Sequence, residues 1–155
     1  DIPTKQEYPI DILTKQEYPS KGWSMSSSYG FLSEKIPFSF LDLSLLYNIN
    51  GHSELYGTYT SYILPGGIGL GYKYYTAGNS KNLMYISAGM AKYYFGEFSP
   101  DVSGFSIATG VSKYKSEKSF LNIGISIYCI SSKRYSRERE NEFGIAPFIN
   151  LERRF

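Results

Sequence analysis

From Lys21 to Phe155 large apolar and small polar residues alternate with a period of two, in runs separated by turn-forming residues. That period is the signature of β-strands. The first run sets Trp23, Met25, Tyr29 and Phe31 against Ser24, Ser26, Ser28 and Gly30. The second sets Leu41, Leu43, Leu45 and Tyr47 against Asp42, Ser44 and Asn48. The third, near 54–63, has large residues on both parities: Tyr56 and Tyr62 on one, Leu55, Tyr59 and Ile63 on the other. Its facing stays open. After Pro65-Gly66-Gly67, a fourth run alternates Ile68, Leu70, Tyr72 and Tyr74 with Gly69, Gly71 and Lys73. The fifth carries Met84, Ile86 and Met90, and the sixth Phe105, Ile107 and Val111. The seventh carries Leu121, Ile123, Ile125 and Ile127, and the eighth Phe143, Ile145, Ile149, Leu151 and Phe155. No convincing amphipathic helix interrupts them. Eight runs of about ten residues with short Gly-, Pro-, Asn- and Ser-rich links predict an all-β, antiparallel up-and-down meander.

The alternation describes either a soluble barrel with its apolar face inward or a membrane barrel with that face outward. Three features favour the membrane form. The second face is small (Ser, Gly, Ala, Asn, Thr) rather than rich in Lys and Glu, as a water-facing surface would be. The lumen of eight strands is narrow enough for such side chains to fill. Trp23, Tyr47, Tyr72, Tyr74, Tyr94 and Phe143 gather toward the ends of runs, where interfacial girdles of a membrane barrel lie. In hydrocarbon an open sheet edge is not viable, so the first and eighth strands must pair. Pro147 in the eighth cannot donate to a ladder, and is expected at a bulge or where its missing N–H does no harm.

Composition fits this reading. Aromatic residues make up 17% of the 155 positions, charged residues only 19%, and the net charge is +2. Mean hydropathy is −0.28, and no apolar run reaches the roughly 18 residues of a transmembrane helix. Alternation hides the membrane character, because the average mixes lipid-facing and lumen-facing halves. The weak charge gives no case for nucleic acid. One cysteine (Cys129) and one histidine (His52) exclude an intrachain disulfide and a two-histidine metal site. No cofactor is expected. The opening Asp-Ile-Pro is not a secretory leader, and composition alone leaves the compartment open.

Residues 1–20 stand apart. DIPTKQEYPI is followed by DILTKQEYPS, with eight of ten positions identical. Prolines at this spacing oppose helix and central strand, so the segment is expected as an extended tail. Tyr8, Pro9, Tyr18 and Pro19 mark it as a candidate docking peptide for a partner. The barrel is expected over 21–155.

The chain closes on Gly144-Ile145-Ala146-Pro147-Phe148-Ile149-Asn150-Leu151-Glu152-Arg153-Arg154-Phe155. A terminal phenylalanine ending an alternating strand resembles the C-terminal signal of bacterial outer-membrane β-barrels, which the barrel assembly machinery reads. The matching positions are Phe155, Leu151 and Ile149 on one face and Gly144 upstream; Arg153 departs from the usual aromatic or apolar residue. The architecture over 21–155 is similar to small OmpX-like or OmpA-transmembrane-like barrels. The resemblance implies an outer-membrane location with both termini periplasmic. The outer links then fall near 33–37, 64–67, 95–102 and 131–141, all short.

Candidate chemistry is sparse. His52-Ser53-Glu54 holds the residue types of a hydrolase set, but consecutive residues of an extended chain point in alternate directions and cannot form a relay. Asp42, Lys73, Glu152 and Arg154 are expected to enter the lumen as a mutually compensated polar network, since buried charges must pair. The basic run Lys133, Arg134, Arg137 and Arg139 is a candidate contact for lipopolysaccharide phosphates, with a solvated charged hairpin as the alternative. Cys129 shares the parity of Ile125 and Ile127 and reads as a small apolar filler. The leading expectation is a non-enzymatic eight-stranded outer-membrane barrel, serving as a structural or accessory subunit beside a larger barrel or a periplasmic protein. The alternatives are an OmpX-like adhesion or resistance barrel, a lipid-A-modifying enzyme, and a soluble lipocalin-like carrier.

Overall fold

In a computed structural model the described residues are 19, 21–33, 36–61, 66–78, 82–93, 101–116, 118–133 and 139–155. They form eight strands: β1 Gly22–Ser33, β2 Ile36–Asn48, β3 Ser53–Ser61, β4 Gly66–Gly78, β5 Asn82–Tyr93, β6 Asp101–Ser116, β7 Ser119–Lys133 and β8 Arg139–Arg154. Each pairs antiparallel with its neighbours in chain order, and β1 pairs with β8 to close the barrel. Closure satisfies the backbone groups that an open edge would leave bare. Every strand but β3, which has 9 residues, exceeds the expected ten, and β6 and β8 reach 16 each. About 9–11 residues cross a bilayer, so the long strands continue beyond the apolar band.

The apolar parity faces outward. Leu70, Met90, Ile107, Ile127 and Ile145 are all exposed, Ile145 by 70%, as the membrane reading requires. The open question about β3 resolves the same way: Leu55 and Tyr59 are exposed, and Tyr56 turns inward. Cys129 lies opposite Phe105 and Phe143 in the ladder.

Pro147 sits at no bulge. It lies opposite Ile125 in an unbroken β7–β8 register, while the β8 pairs with β1 end at Ile149. It therefore lies beyond the closing seam, on the less paired part of the strand. Register shifts occur instead at Phe31–Ser33, Tyr75–Ala77 and Tyr114–Ser116. Two of these lie at the barrel end that carries the β2–β3, β4–β5 and β6–β7 turns and both ends of the barrel chain. It is the turn end of the barrel.

Small lumen-facing residues are explained by what lies over them. Among the side chains the structure describes, five aromatics stand directly opposite a glycine in the ladder: Tyr56 and Gly71, Tyr93 and Gly67, Tyr85 and Gly110, Tyr128 and Gly144, Phe148 and Gly124. In each pair the ring occupies the space that a β-carbon on the glycine would need; at Gly67 it would sit 2.7 Å from the Tyr93 ring. The ring thus lies across the wall and fills a lumen too narrow for it to stand upright. Tyr85 and Tyr128, which no girdle accommodates, belong to this set.

Candidate functional site: the lumen

Among the described residues, the turn end of the lumen holds four charged side chains. Glu54, the second residue of β3, lies directly opposite Lys73 on β4, and Glu152 and Arg154 occupy successive inward positions of β8. Each carboxylate touches both cations. Lys73 Nζ lies 3.2 Å from Glu152 and 3.6 Å from Glu54, and Arg154 Nη2 lies 2.8 Å from Glu54 and 3.3 Å from Glu152. The result is a closed ring of alternating sign, with Glu54 fully buried and Glu152, Lys73 and Arg154 nearly so.

Charges taken out of water are tolerated when paired and fully hydrogen-bonded. Neighbouring strands supply those bonds. Glu54 accepts from Tyr75 Oη at 3.0 Å and Asn48 Nδ2 at 3.1 Å. Glu152 accepts from Ser24 Oγ and Asn122 Nδ2, both at 3.2 Å. Ser112 in turn donates to Asn122, and Asn122 reaches Asn150. The two cations also lie against rings: Lys73 Nζ is 4.7 Å from the Tyr75 ring centre and 4.5 Å from that of Tyr85, and Arg154 is 4.5 Å from that of Phe120. Tyr75, Leu83, Tyr85 and Phe120 are buried around the ring and complete a plug to which strands from β1 to β8 contribute.

Beyond the plug, toward the opposite end, the lumen widens into a cavity of about 240 Å³. Its walls include Ser26, Ser44, Thr58, Ser87, Ser106 and Ser126. Volume and hydroxyl groups together suit water. Here the structure corrects the expected network. Asp42 lies opposite Ser28 and Thr60, lines this cavity, and is not a member of the ion ring. Its place in the ring is taken by Glu54, which the sequence reading puts at the start of the third run and weighs only as part of His52-Ser53-Glu54. The signal is available in parity: Glu54 shares the inward parity of Tyr56 on β3, and Lys73 that of Gly71 and Tyr75 on β4.

The three residues of that turn diverge. His52 Nδ1 lies 3.4 Å from the Tyr75 carbonyl and its ring stacks on Tyr74, Ser53 Oγ bonds Tyr72 Oη at 2.7 Å, and Glu54 enters the plug. They cannot act on one substrate atom. Asn48 and Asn50 hold the turn by accepting from the N–H groups of Gly51 and Ser53 at 2.6 and 2.9 Å.

The outward aromatics divide unevenly. Trp23, Tyr47, Tyr72 and Tyr74 line the turn end on β1–β4, with Trp23 and Tyr47 rings 4.8 Å apart. Phe143 stands near the opposite end and is 75% exposed. Tyr94 lies outside the described residues, as do Arg134 and Arg137 of the basic run. Of that run, Lys133 ends β7 opposite Arg139 at the start of β8, and Arg139 is exposed. Gly144 and the outward Ile149, Leu151 and Phe155 fall on β8 and its end, and the Phe155 N–H donates to the Trp23 carbonyl at 3.2 Å. In the tail Tyr8, Pro9 and Tyr18 lie outside the described residues, and Pro19 is buried.

The fold is shared with known membrane barrels. A solved structure from the de novo design of transmembrane β-barrels superposes with a TM-score of 0.59 at 9% identity, covering 89% of this chain and 99% of that one. Neisserial surface protein A gives 0.59 at 19% identity over 86% and 94% of the two chains. The N-terminal β-barrel domain of Pseudomonas aeruginosa OprF gives 0.53 at 15% identity over 88% and 98%. No protein-family model matches the sequence, and no curated protein is significantly similar to it.

Proposed function

We propose that the chain is a non-catalytic outer-membrane barrel with a sealed lumen, acting as a structural or accessory subunit. The observation that carries this reading is the plug. A neutral ring of two acids and two bases, tied to side chains from all round the wall, occupies the lumen at the turn end. Such a barrel presents its outer wall, rather than its interior, to the rest of the membrane. The divergence of His52, Ser53 and Glu54 supports a role without catalysis. The outward series Ile149, Leu151 and Phe155 on β8 and just after it supports handling by the barrel assembly machinery, and the duplicated segment 1–20 supports docking to a periplasmic protein, with the turn end of the barrel on that side.

A second reading is favoured by one feature. β7 and β8 continue past the apolar band as a polar stem, Ser131–Lys133 opposite Arg139–Asn141. This stem supports a surface barrel of the OmpX type, in which Lys133, Arg134, Arg137 and Arg139 contact lipopolysaccharide.

Fractionation with gel migration tests the membrane assignment. The folded chain is expected in the outer-membrane fraction and to run faster unheated than boiled; recovery in the soluble fraction overturns it. Purification in mild detergent then separates the two roles. A stoichiometric co-purifying membrane or periplasmic protein supports the subunit reading. A lone monomer that sediments with lipopolysaccharide supports the second.

A further inference from the structure

The outward face ends differently on the two flanks of the turn end. Within β1–β4 it ends in the rings of Trp23, Tyr47, Tyr72 and Tyr74, with the exposed Lys21 just before β1 as the one described cation next to them. On β6–β8 it ends in cations. The outward series of β6 runs Phe105, Ile107, Thr109, Val111 and then Lys113 and Lys115. That of β8 runs Ile145, Pro147, Ile149, Leu151 and then Arg153, and Lys118 stands in the turn between β6 and β7. All four cations are exposed.

They form one patch. Lys113 lies opposite Leu121, Leu121 opposite Leu151, and Arg153 opposite Ser119, so the four span three adjacent strands. Strands lie about 4.8 Å apart, so the patch is on the order of 10 Å wide. Glu117 is the one acid in this stretch of sequence, which leaves three positive charges in excess of it.

We infer that this patch is a binding surface for the headgroup of an anionic glycerophospholipid. The argument rests on continuity. Each strand's cation directly follows an exposed aliphatic residue on the same face, Val111 before Lys113 and Leu151 before Arg153. A molecule seated here meets an apolar wall and a cationic edge at once, which is the chemistry of a charged amphiphile rather than of a soluble acidic protein. Lysine and arginine lay their methylene stems on apolar surface while the charged head reaches the phosphate level. Arginine adds a fork that matches phosphate oxygens in pairs. The aromatic flank anchors the opposite side without selecting headgroup charge. The patch therefore selects lipid on one arc of the barrel. This inference depends on the membrane reading above, and its test separates the two.

Trp23 is the single tryptophan, faces outward, and lies on β1 beside β8, with Met25 opposite Arg153. It reports lipid next to the patch. The full chain is folded into vesicles of phosphatidylcholine and phosphatidylglycerol, with bromine on the chains of one lipid or the other. Bromine on phosphatidylglycerol is expected to quench Trp23 as if that lipid were enriched at least about fivefold, the effect of a single well-placed cation. Salt near 1 M, where the screening length is about 3 Å, should bring the two lipids close to parity. The combined Lys113→Gln, Lys115→Gln, Lys118→Gln and Arg153→Gln variant should do the same at low salt, and Arg139→Gln at the other end should not. Equal quenching by both lipids in the wild type, or an unchanged preference in the fourfold variant, overturns the inference. If the fourfold variant gives no fast-migrating folded band, the Lys113→Gln, Lys118→Gln pair and the salt titration decide. A wild-type chain that itself gives no such band counts against the membrane reading, not against lipid selection.

Discussion

The two halves of the lumen are built from different chemistry. At the turn end Glu54, Lys73, Glu152 and Arg154 are locked in a ring with every charge touching two of opposite sign. In the other half the walls are serine, threonine and glycine with tyrosine rings laid across them, around a cavity. Neither half resembles the interior of a soluble protein. Most large apolar side chains lie on the outer wall and only a few, such as Leu46, Leu83, Val102 and Ile130, are buried within, so hydrophobic burial contributes little to how the barrel closes. Polar pairing specifies closure at the turn end, where Glu54 meets Arg154 across 100 positions of sequence. Shape does so in the other half, where a ring fits only over a glycine.

The largest expected effect falls on the ring. Arg154→Met leaves two buried carboxylates facing one ammonium, and removing one partner of a buried charge pair costs about 3–5 kcal/mol. Urea unfolding in detergent, followed by Trp23 fluorescence and gel migration, should show that loss. Glu152→Met should cost a similar amount, and adding Lys73→Met should recover much of it by restoring neutrality. Asp42→Asn, in the roomier half, should cost less than about 1 kcal/mol. An Asp42→Asn loss equal to that of Arg154→Met would erase the distinction between the halves.

The second effect tests shape in the cavity half. A β-carbon on Gly144 meets the Tyr128 ring, and overpacking of this kind costs about 1–3 kcal/mol. Gly144→Ala should therefore destabilise, and Tyr128→Ala in the same chain should offset part of the loss. Gly57, whose nearest neighbour for an added carbon is 4.0 Å away, serves as the control. Gly57→Ala should be close to neutral. Equal losses at Gly57 and Gly144 would show that the glycines serve backbone freedom, not ring space.

These contrasts also show what the sequence makes legible. Strand number, antiparallel order and the outward apolar face follow from period and turn residues, which are local chemistry, and the closing β1–β8 pair follows from the cost of an open edge in hydrocarbon. Three of the ring's four members follow as well, since a charge on lumen parity has nowhere else to go. Glu54 escaped because it abuts a turn, and parity at a strand end is clear only once the turn is placed. Asp42 was misassigned for a related reason: parity gives the face of a residue but not its height in the barrel. The tyrosine–glycine pairs stayed hidden because they depend on register. Tyr128 and Gly144 lie 16 residues apart and become neighbours only when β7 and β8 align. The unequal strand lengths depend on the same alignment.

The smallest expected effect tests whether the turn or the ring positions Glu54. Gly51 has φ +84°, a left-handed conformation that costs little for glycine and about 1 kcal/mol or more for alanine. Its N–H donates to Asn48 Oδ1 at 2.6 Å, and Asn48 Nδ2 donates to Glu54 at 3.1 Å, so the turn is tied to the ring through one side chain. If the ring holds Glu54, Gly51→Ala should lower the urea midpoint only by the local strain. Gly51→Asn, which tolerates the left-handed region better, should recover part of that loss. Combined with Arg154→Met the strain should add without coupling, because the ring is already broken. If instead the turn holds Glu54, Gly51→Ala alone should approach the Arg154→Met loss and the two should fail to add. Glu54 takes two ion contacts, from Lys73 on β4 and Arg154 on β8, and a hydrogen bond from Tyr75, against a single amide link from the turn. That imbalance is why the additive outcome is expected.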